Sequence, residues 1–147
     1  MNKINESWMN LALIEARKAF RNKEIPIGAI IVKDNKVIGK GYNQVELLKD
    51  STAHAEMIAI TSASNTLSDW RLNDCDIYVT LEPCAMCAGA IIKSRLKNIF
   101  FGSYNKNDGC VSSIYNLCND SRFNHQSGIQ GGILNQECSY LLTSFFK

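Results

Sequence analysis

Apolar residues recur at three- and four-residue intervals in the first part of the chain. Between about Asn5 and Asn22 they form one face, which predicts an amphipathic helix that packs on a core. Two β-branched runs, residues 28–32 and 37–39, then flank the polar pair Asp34-Asn35. This pattern is typical of a β-hairpin, and the second strand ends near Asn43. From the pattern alone, Asn43 is an ordinary turn residue.

The middle of the chain alternates between helical and extended patterns. Residues 44–52 are polar and irregular, and a helix then starts near Thr52, with His54 and Glu56 in its first turn. The remaining predicted segments are a polar connection over residues 62–73, a buried strand over 76–81, a helix from Cys84 to about Arg95 and a strand over 98–102. Such alternation indicates an α/β layered domain with at least one parallel crossover.

The last part of the chain is less regular. Residues 103–126 lack periodicity and are rich in Asn, Ser, Asp and Gly, so this stretch is functional, flexible or contains short helical turns. Residues 128–132 fit a short strand, and residues 134–147 fit a closing helix. No repeat or linker interrupts the pattern, so we expect one domain over residues 1–147.

Composition narrows the class of protein only slightly. A hydrophobic content of 46% and a charged content of 20% are ordinary for a globular chain, and a net charge of +2 permits a nucleic-acid partner without requiring one. The sequence has neither a signal-peptide pattern nor an apolar run long enough to span a bilayer, so we expect a cytoplasmic protein without a membrane partner. In that compartment a close cysteine pair favours metal or redox chemistry over a disulfide.

Three side chains are of the types that hold Zn²⁺. His54, Cys84 and Cys87 would leave the fourth position open, which is the catalytic pattern, and Glu56 is close enough in sequence to move a proton there. Cys84 and Cys87 project from neighbouring turns of one helix, and the helix start favours a thiolate at Cys84. A redox pair would need no histidine. A closed structural site with Glu56 as the fourth ligand stays open at this point.

The arrangement His-x-Glu…Pro-Cys-x-x-Cys resembles that of zinc-dependent nucleobase deaminases. The runs Thr52–Glu56 and Tyr78–Ala90 are similar in particular to the bacterial tRNA-specific adenosine deaminase family. Further similarity extends along nearly the whole chain, at residues 24–29, 123–125, 132–134 and 145–146.

The resemblance implies a fold, a reaction and a set of roles. The implied fold is cytidine deaminase-like, a three-layer α/β/α sandwich with a mixed five-stranded sheet, and members of the family are typically homodimers. The implied reaction converts adenosine to inosine at the wobble position, residue 34, of the tRNA anticodon stem-loop. By the same resemblance His54, Cys84 and Cys87 hold one Zn²⁺ per subunit, Glu56 is the catalytic proton carrier, and Asn43 hydrogen-bonds the base.

The loop after the fourth strand departs from the family pattern. Asn105, in the run Ser103-Tyr104-Asn105, stands where the family commonly has an acid, and Gln126 stands where arginine is frequent. Tyr104 and Asn105 are candidate RNA contacts, although an exposed loop tyrosine without such a role is equally compatible with the sequence. The chain stops at Lys147 without the basic tail of many members, so we expect a shallower salt dependence of binding.

Two alternative functions remain at this point. One is a free-base or nucleotide deaminase of the same superfamily, acting on guanine or cytosine, which a small net charge would suit. The other is a noncatalytic RNA-binding partner that keeps zinc only for structure. The intact Glu56 argues against the second alternative.

Overall fold

The strand segments pair into one five-stranded sheet in the computed structural model, which describes residues 2–147, so that Met1 of the expected domain lies outside the described part. The elements in chain order are α1 (Lys3–Arg21), β1 (Gly28–Lys33), β2 (Lys36–Tyr42), α2 (Val45–Leu48), α3 (Ala55–Leu67), β3 (Asp76–Leu81), α4 (Ala85–Ser94), β4 (Asn98–Ser103), β5 (Gly128–Gln130) and α5 (Asn135–Phe145).

The sheet is mixed, with the strand order β2-β1-β3-β4-β5. Strand β1 is antiparallel to both of its neighbours, whereas β3, β4 and β5 are parallel to one another. Asp34 and Asn35 join β1 to β2 with φ angles of 51° and 64°, the left-handed conformation that a two-residue hairpin turn requires. The predicted hairpin and the predicted parallel crossover, which runs through α4, are both confirmed.

Helices cover both faces of the sheet. Ala29 and Ile31 of β1 belong to a core shared with α3 and α4, while the alternate residues Ile30 and Val32 belong to a core shared with α1 and α5. Because successive side chains of a strand point to opposite faces, a strand buried on both sides shows a continuous apolar run, as β1 does. The expected mixed five-stranded α/β fold is therefore confirmed, with three layers.

Helix α3 lies unusually close to the sheet because small residues meet at the contact. A β-carbon on Gly41 would collide with the backbone of Ala55 and Ala59, and one on Gly39 would collide with the backbone of Ala59 and Ala63. This packing fixes the distance between β2 and the start of α3. It also continues the helix to Leu67, so the prediction of a polar connection from residue 62 was wrong.

Two other boundaries differ from the sequence prediction. The helix predicted from Thr52 begins at Ala55, which makes His54 the residue that caps it, while Glu56 does lie in the first turn. The short helix α2 lies within the stretch 44–52, which was predicted to be irregular. Residues 103–126 are irregular as predicted, except for the end of β4 and a single 3₁₀ turn at Leu117–Asn119. No helix within residues 2–147 is long and apolar enough to cross a membrane.

Candidate active site

The site lies where the parallel strands of the sheet end. Strand β3 ends at Leu81, and α4 begins at Ala85 with Cys84 as its N-cap residue. Pro83 cannot continue the strand ladder and suits the start of a helix, which explains the abrupt change. Cys87 follows in the first turn of α4 and is fully buried. Both thiols therefore come from one helix start at the carboxyl edge of the sheet.

His54 reaches the same point from a second helix start. It is the N-cap residue of α3, with an extended backbone, and its carbonyl accepts the first helical hydrogen bond from Ile58 N at 3.1 Å. The side chains of His54 and Cys84 make no capping hydrogen bond to their helices. Each is thus free to bind a ligand, and the unpaired N–H groups of the two first turns favour negative charge nearby.

The three ligand atoms have the separation that a tetrahedral zinc ion requires. His54 Nδ1 lies 3.7 Å from Cys84 Sγ and 3.6 Å from Cys87 Sγ. Zn–N and Zn–S bonds of about 2.1 and about 2.3 Å at a tetrahedral angle place nitrogen and sulfur about 3.6 Å apart. Within residues 2–147 this is the only group of three His, Cys, Asp or Glu side chains that converges in this way. The donor set fits zinc, with a fourth position open.

Charge at the three ligands is distributed unequally. The adjoining Cys87 thiol, and then His54, lower the pKa of Cys84 to about 4. The neighbouring Cys84 and burial together raise the pKa of Cys87, and the hydrogen bond with Cys84 raises the pKa of His54. The group therefore holds a thiolate beside proton donors, and a bound cation would displace those protons, as metal binding to thiols does.

Glu56 is a buried carboxyl group beside this group. It is the second residue of α3, its side chain is 4% exposed, and it lines the same pocket as His54 and Cys84. Burial raises the pKa of Glu56 to about 7. A nearby cation would favour the carboxylate and oppose that shift. The carboxyl group is thus able both to accept and to donate a proton near neutral pH.

Asn43 follows β2 directly and lines the same pocket as Cys84, the N-cap residue of α4. Its side chain is 5% exposed, and its amide nitrogen donates a long hydrogen bond of 3.4 Å to Ile25 O. Among the buried side-chain atoms of residues 2–147, the amide oxygen of Asn43 alone lacks a hydrogen-bond partner. An unpaired buried oxygen is costly unless a ligand pairs with it, so the interpretation of Asn43 as an ordinary turn residue is insufficient.

The pocket that joins these groups has a volume of about 1200 Å³. Its wall includes the loop Tyr104–Asp108 and the end of α5 at Phe145 and Phe146. The structure therefore brings both loop candidates, Tyr104 and Asn105, to the same pocket as the metal ligands. Tyr104 packs edge-on against Phe101 with ring centroids 4.9 Å apart, and Asn105 Oδ1 accepts a hydrogen bond from Asp108 N.

Two buried carboxylates in the pocket wall were missed at the sequence level. Glu24 accepts hydrogen bonds from the backbone of Glu46 and Leu47 and so holds the start of α2. Glu82 accepts hydrogen bonds from Asn105, Ser112 and Ser113, three residues of the loop after β4. Burial would raise the pKa of Glu82, but hydrogen bonds from Ser113, Asn105 and Ser112 outweigh it and lower that pKa. Their partners lie more than 20 residues away in sequence, so no local signal marks them.

Known proteins with this fold include several deaminases. Residues 3–137 match the MafB19-like deaminase family. A tRNA-specific adenosine deaminase of Bacillus subtilis is 42% identical over 143 residues, which cover 97% of this chain and 89% of that protein. A structure from a study of A-to-I editing by tRNA:A34 deaminases superposes with a TM-score of 0.89 and 38% identity, and covers 92% of this chain and 99% of that one.

A purine-base enzyme is also similar over part of the chain. The structure of guanine deaminase from Bacillus subtilis matches with a TM-score of 0.65 and 40% identity, over 71% of this chain and 66% of that one. The match with the tRNA-directed structure is closer in shape and covers more of both chains.

Proposed function

We propose, since this chain belongs to the tRNA-specific adenosine deaminase family, that it hydrolyses adenosine 34 of a tRNA anticodon to inosine and ammonia. The observation that carries the proposal is the convergence of three zinc-type ligands, two of which, His54 and Cys84, line one pocket together with the buried carboxyl group of Glu56. We further propose that His54, Cys84 and Cys87 hold one zinc ion per chain. When bound, zinc lowers the pKa of a water molecule at its open position to about 7.

Glu56 carries the protons of this reaction. It accepts the first proton from the attacking water as the oxygen adds to C6 of adenine, and it passes that proton to the ring nitrogen N1. It then accepts the second proton from the hydroxyl group on C6 and passes it to the amino group, which departs as the C6–N bond breaks. These steps require one carboxyl group that both accepts and donates near neutral pH, and burial of Glu56 supports that role. The water supplies the oxygen of inosine, and the amino group leaves as ammonia.

Asn43 orients the base. Its buried amide oxygen has no hydrogen-bond partner within the chain and can accept from the base edge, and its amide nitrogen is held only weakly by Ile25 O. An amide supplies both an acceptor and a donor, which matches the mixed edge of a purine. Tyr104 and Asn105, on the loop across the pocket, contact the nucleotides that flank the target.

The extent of the structural similarity supports a tRNA over a free base. The tRNA:A34 deaminase structure covers 92% of this chain, whereas the guanine deaminase structure covers 71%. The partial similarity to a guanine deaminase keeps guanine as a second candidate substrate.

A competition of substrates tests the reaction. The zinc-loaded protein is incubated separately with a tRNA anticodon stem-loop that bears A34, with free guanine, and with cytosine or cytidine, and the products inosine, xanthine and uracil or uridine are measured. We expect inosine from the stem-loop and no turnover of the free bases. Consumption of guanine without inosine formation would show that the substrate is the free purine base and not the tRNA.

Removal of the Asn43 amide is expected to weaken catalysis without affecting zinc. Asn43→Ala should lower kcat/KM for the stem-loop by about 10- to 100-fold, since one hydrogen bond to a buried group is lost. Zinc content, measured by atomic absorption, should remain at the wild-type level. Asn65→Ala, at an exposed position of α3, is the control and should leave kcat/KM unchanged. An unchanged kcat/KM in Asn43→Ala would remove Asn43 from the base-binding set.

Three further proposals concern the protein as a whole. Residues 1–147 act as one catalytic unit, because the two cores share one sheet. The protein is cytoplasmic, where its thiol ligands stay reduced.

Two copies form a homodimer, which family resemblance and the exposed apolar side chains of Leu47, Leu48, Ile114 and Tyr115 support. Light scattering should give twice the mass of the chain, and a monomer at micromolar concentration would reject the dimer.

A further inference from the structure

Glu82 occupies the position between the end of β3 and the Pro83-Cys84 turn. Its side chain is 1% exposed, and its own N–H donates to Ser103 O at 2.9 Å, which extends the pairing of β3 with β4 by one step. Pro83 O accepts a hydrogen bond from Cys110 N at 2.9 Å. The backbone that leads into the Pro83-Cys84 turn is thus bonded to the last residue of β4 and to the segment that follows β4.

The carboxylate of Glu82 holds both ends of that segment. Oε1 accepts from Asn105 N at 3.1 Å and from the Ser113 hydroxyl, and Oε2 accepts from Ser112 N and Ser113 N, each at 2.8 Å. The bonded residues are 23 to 31 positions away from Glu82 in sequence. A charged acceptor that receives several N–H and O–H donors forms stronger bonds than a neutral one.

The loop also packs directly on this carboxylate. A β-carbon on Gly109 would collide with the Glu82 carboxyl group, and Gly109 N donates to Asn105 O at 2.8 Å, which closes the turn. Glycine is therefore required here by space, since its φ angle is not in the left-handed region. The loop from Tyr104 to Ser113 has a fixed shape because it is built around a buried negative charge.

The first half of this loop borders the pocket. The residues Tyr104–Asp108 line it, together with Glu82, His54 and Asn43. In contrast, His54, Cys84 and Cys87 are placed by the starts of α3 and α4. The loop that borders the pocket is thus held by the Glu82 carboxylate, whereas the candidate metal ligands are held by the two helix starts.

We propose that Glu82 is a positioning residue, whose carboxylate holds the loop Tyr104–Ser113 in the shape that binds the nucleotides flanking the target adenosine. This assignment rests on the proposed function for the identity of the substrate. Glu82 hydrogen-bonds the loop and is not one of the three candidate metal ligands, so its loss is expected to act on substrate binding. A glutamine in its place presents an NH₂ group to donors that need an acceptor, which releases at least one end of the loop.

Steady-state kinetics with the stem-loop substrate separate this role from a catalytic one. Glu82→Gln is expected to raise KM about tenfold or more while kcat changes less than about threefold, since loop contacts contribute to binding and not to the chemical step. Ser113→Ala, which removes only the hydroxyl donor, should raise KM by a smaller factor and keeps the test decisive if Glu82→Gln folds poorly. Glu15→Gln is the matched control, because Glu15 is also buried but pairs with Lys18 on α1.

Hydrogen exchange supplies a readout that does not depend on the substrate. Peptides that contain the amides of Asn105, Ser112 and Ser113 should exchange faster in Glu82→Gln than in wild type and in Glu15→Gln, with zinc content unchanged. Wild-type exchange in Glu82→Gln, or faster exchange with an unchanged KM, would overturn the proposal. A fall in kcat together with zinc loss would also overturn it, because Glu82 would then support the metal site. Failure of wild type to form inosine is a separate result, which rejects the tRNA substrate and leaves the exchange test standing.

Discussion

Glu56→Ala is expected to lose about 10²- to 10⁴-fold in turnover of the A34 stem-loop, the contribution that a positioned general acid–base makes. The zinc content of the variant is expected to equal that of wild type. The reason is geometric: the two thiols and the imidazole already meet at tetrahedral spacing without the carboxylate. Glu56→Gln, which keeps the shape of the side chain but cannot carry the proton, should show the same loss. Rapid-quench measurement of inosine and metal analysis of the same samples test both statements.

Loss of the metal in Glu56→Ala would contradict the assignment of Glu56 as the proton carrier. Glu56 would then be a fourth protein ligand, the site would be closed, and zinc would have a structural role. The control is Glu15→Gln, a substitution of another buried carboxylate far from the pocket, which should retain both turnover and zinc. Full turnover by Glu56→Gln would show that Glu56 is not the proton carrier of the reaction.

The convergence of His54, Cys84 and Cys87 could be predicted because each residue depends on a local signal. Pro83 marks the change from strand to helix, and the residues that follow it are placed by the helix start. Topology then brings α3 and α4 together, since both begin at the same edge of the sheet. The sequence prediction placed His54 in the first turn of one helix and began the other helix at Cys84, whereas each residue is the N-cap that precedes its helix.

The second half of α3 could not be predicted from its own sequence. Residues 62–67 are rich in Ser, Asn and Thr, which have low helix propensity. The helix continues because Ala63 packs against the backbone at Gly39, 24 positions earlier in the chain. Tertiary packing overrides the low helix propensity here, and the apolar periodicity of the sequence does not reveal this packing.

The residues of the pocket wall were even harder to predict from the local sequence. From the sequence pattern Asn43 is a turn residue, and only the family resemblance indicated that it hydrogen-bonds the base. Its unpaired buried oxygen is a property of the folded chain and is not visible in the sequence. Glu82 lies within the run that carries the resemblance, yet its partners belong to a loop without periodicity. The sequence singled out Tyr104 and Asn105, which line the pocket, but not the carboxylate of Glu82 that holds their loop.

Cys87→Ala is expected to abolish zinc binding and, with it, turnover. Cys87 is fully buried, and its Sγ lies 3.6 Å from His54 Nδ1, so its removal leaves two protein ligands and a cavity in the coordination sphere. Metal analysis after dialysis should give close to no zinc per chain. Inosine formation should fall to the uncatalysed level, because neither Glu56 nor Asn43 acts without an activated water.

Thermal unfolding distinguishes this loss from simple damage to the core. A ligand that binds only the folded state at 1,000 times its Kd stabilises by about 4 kcal/mol, which corresponds to roughly 10 °C in a domain of this size. Wild type should therefore lose roughly that much of its Tm on chelation, whereas the Tm of Cys87→Ala should not respond to chelator or to added zinc.

Cys118→Ala is the matched control for the thiol. Cys118 is also fully buried and donates only to Ala88 O, outside the ligand group. It should lower the Tm through the loss of packing but keep one zinc per chain and the response to chelator. A Cys87→Ala protein that still binds one zinc, or a Cys118→Ala protein that loses it, would contradict the assignment of the metal site to His54, Cys84 and Cys87.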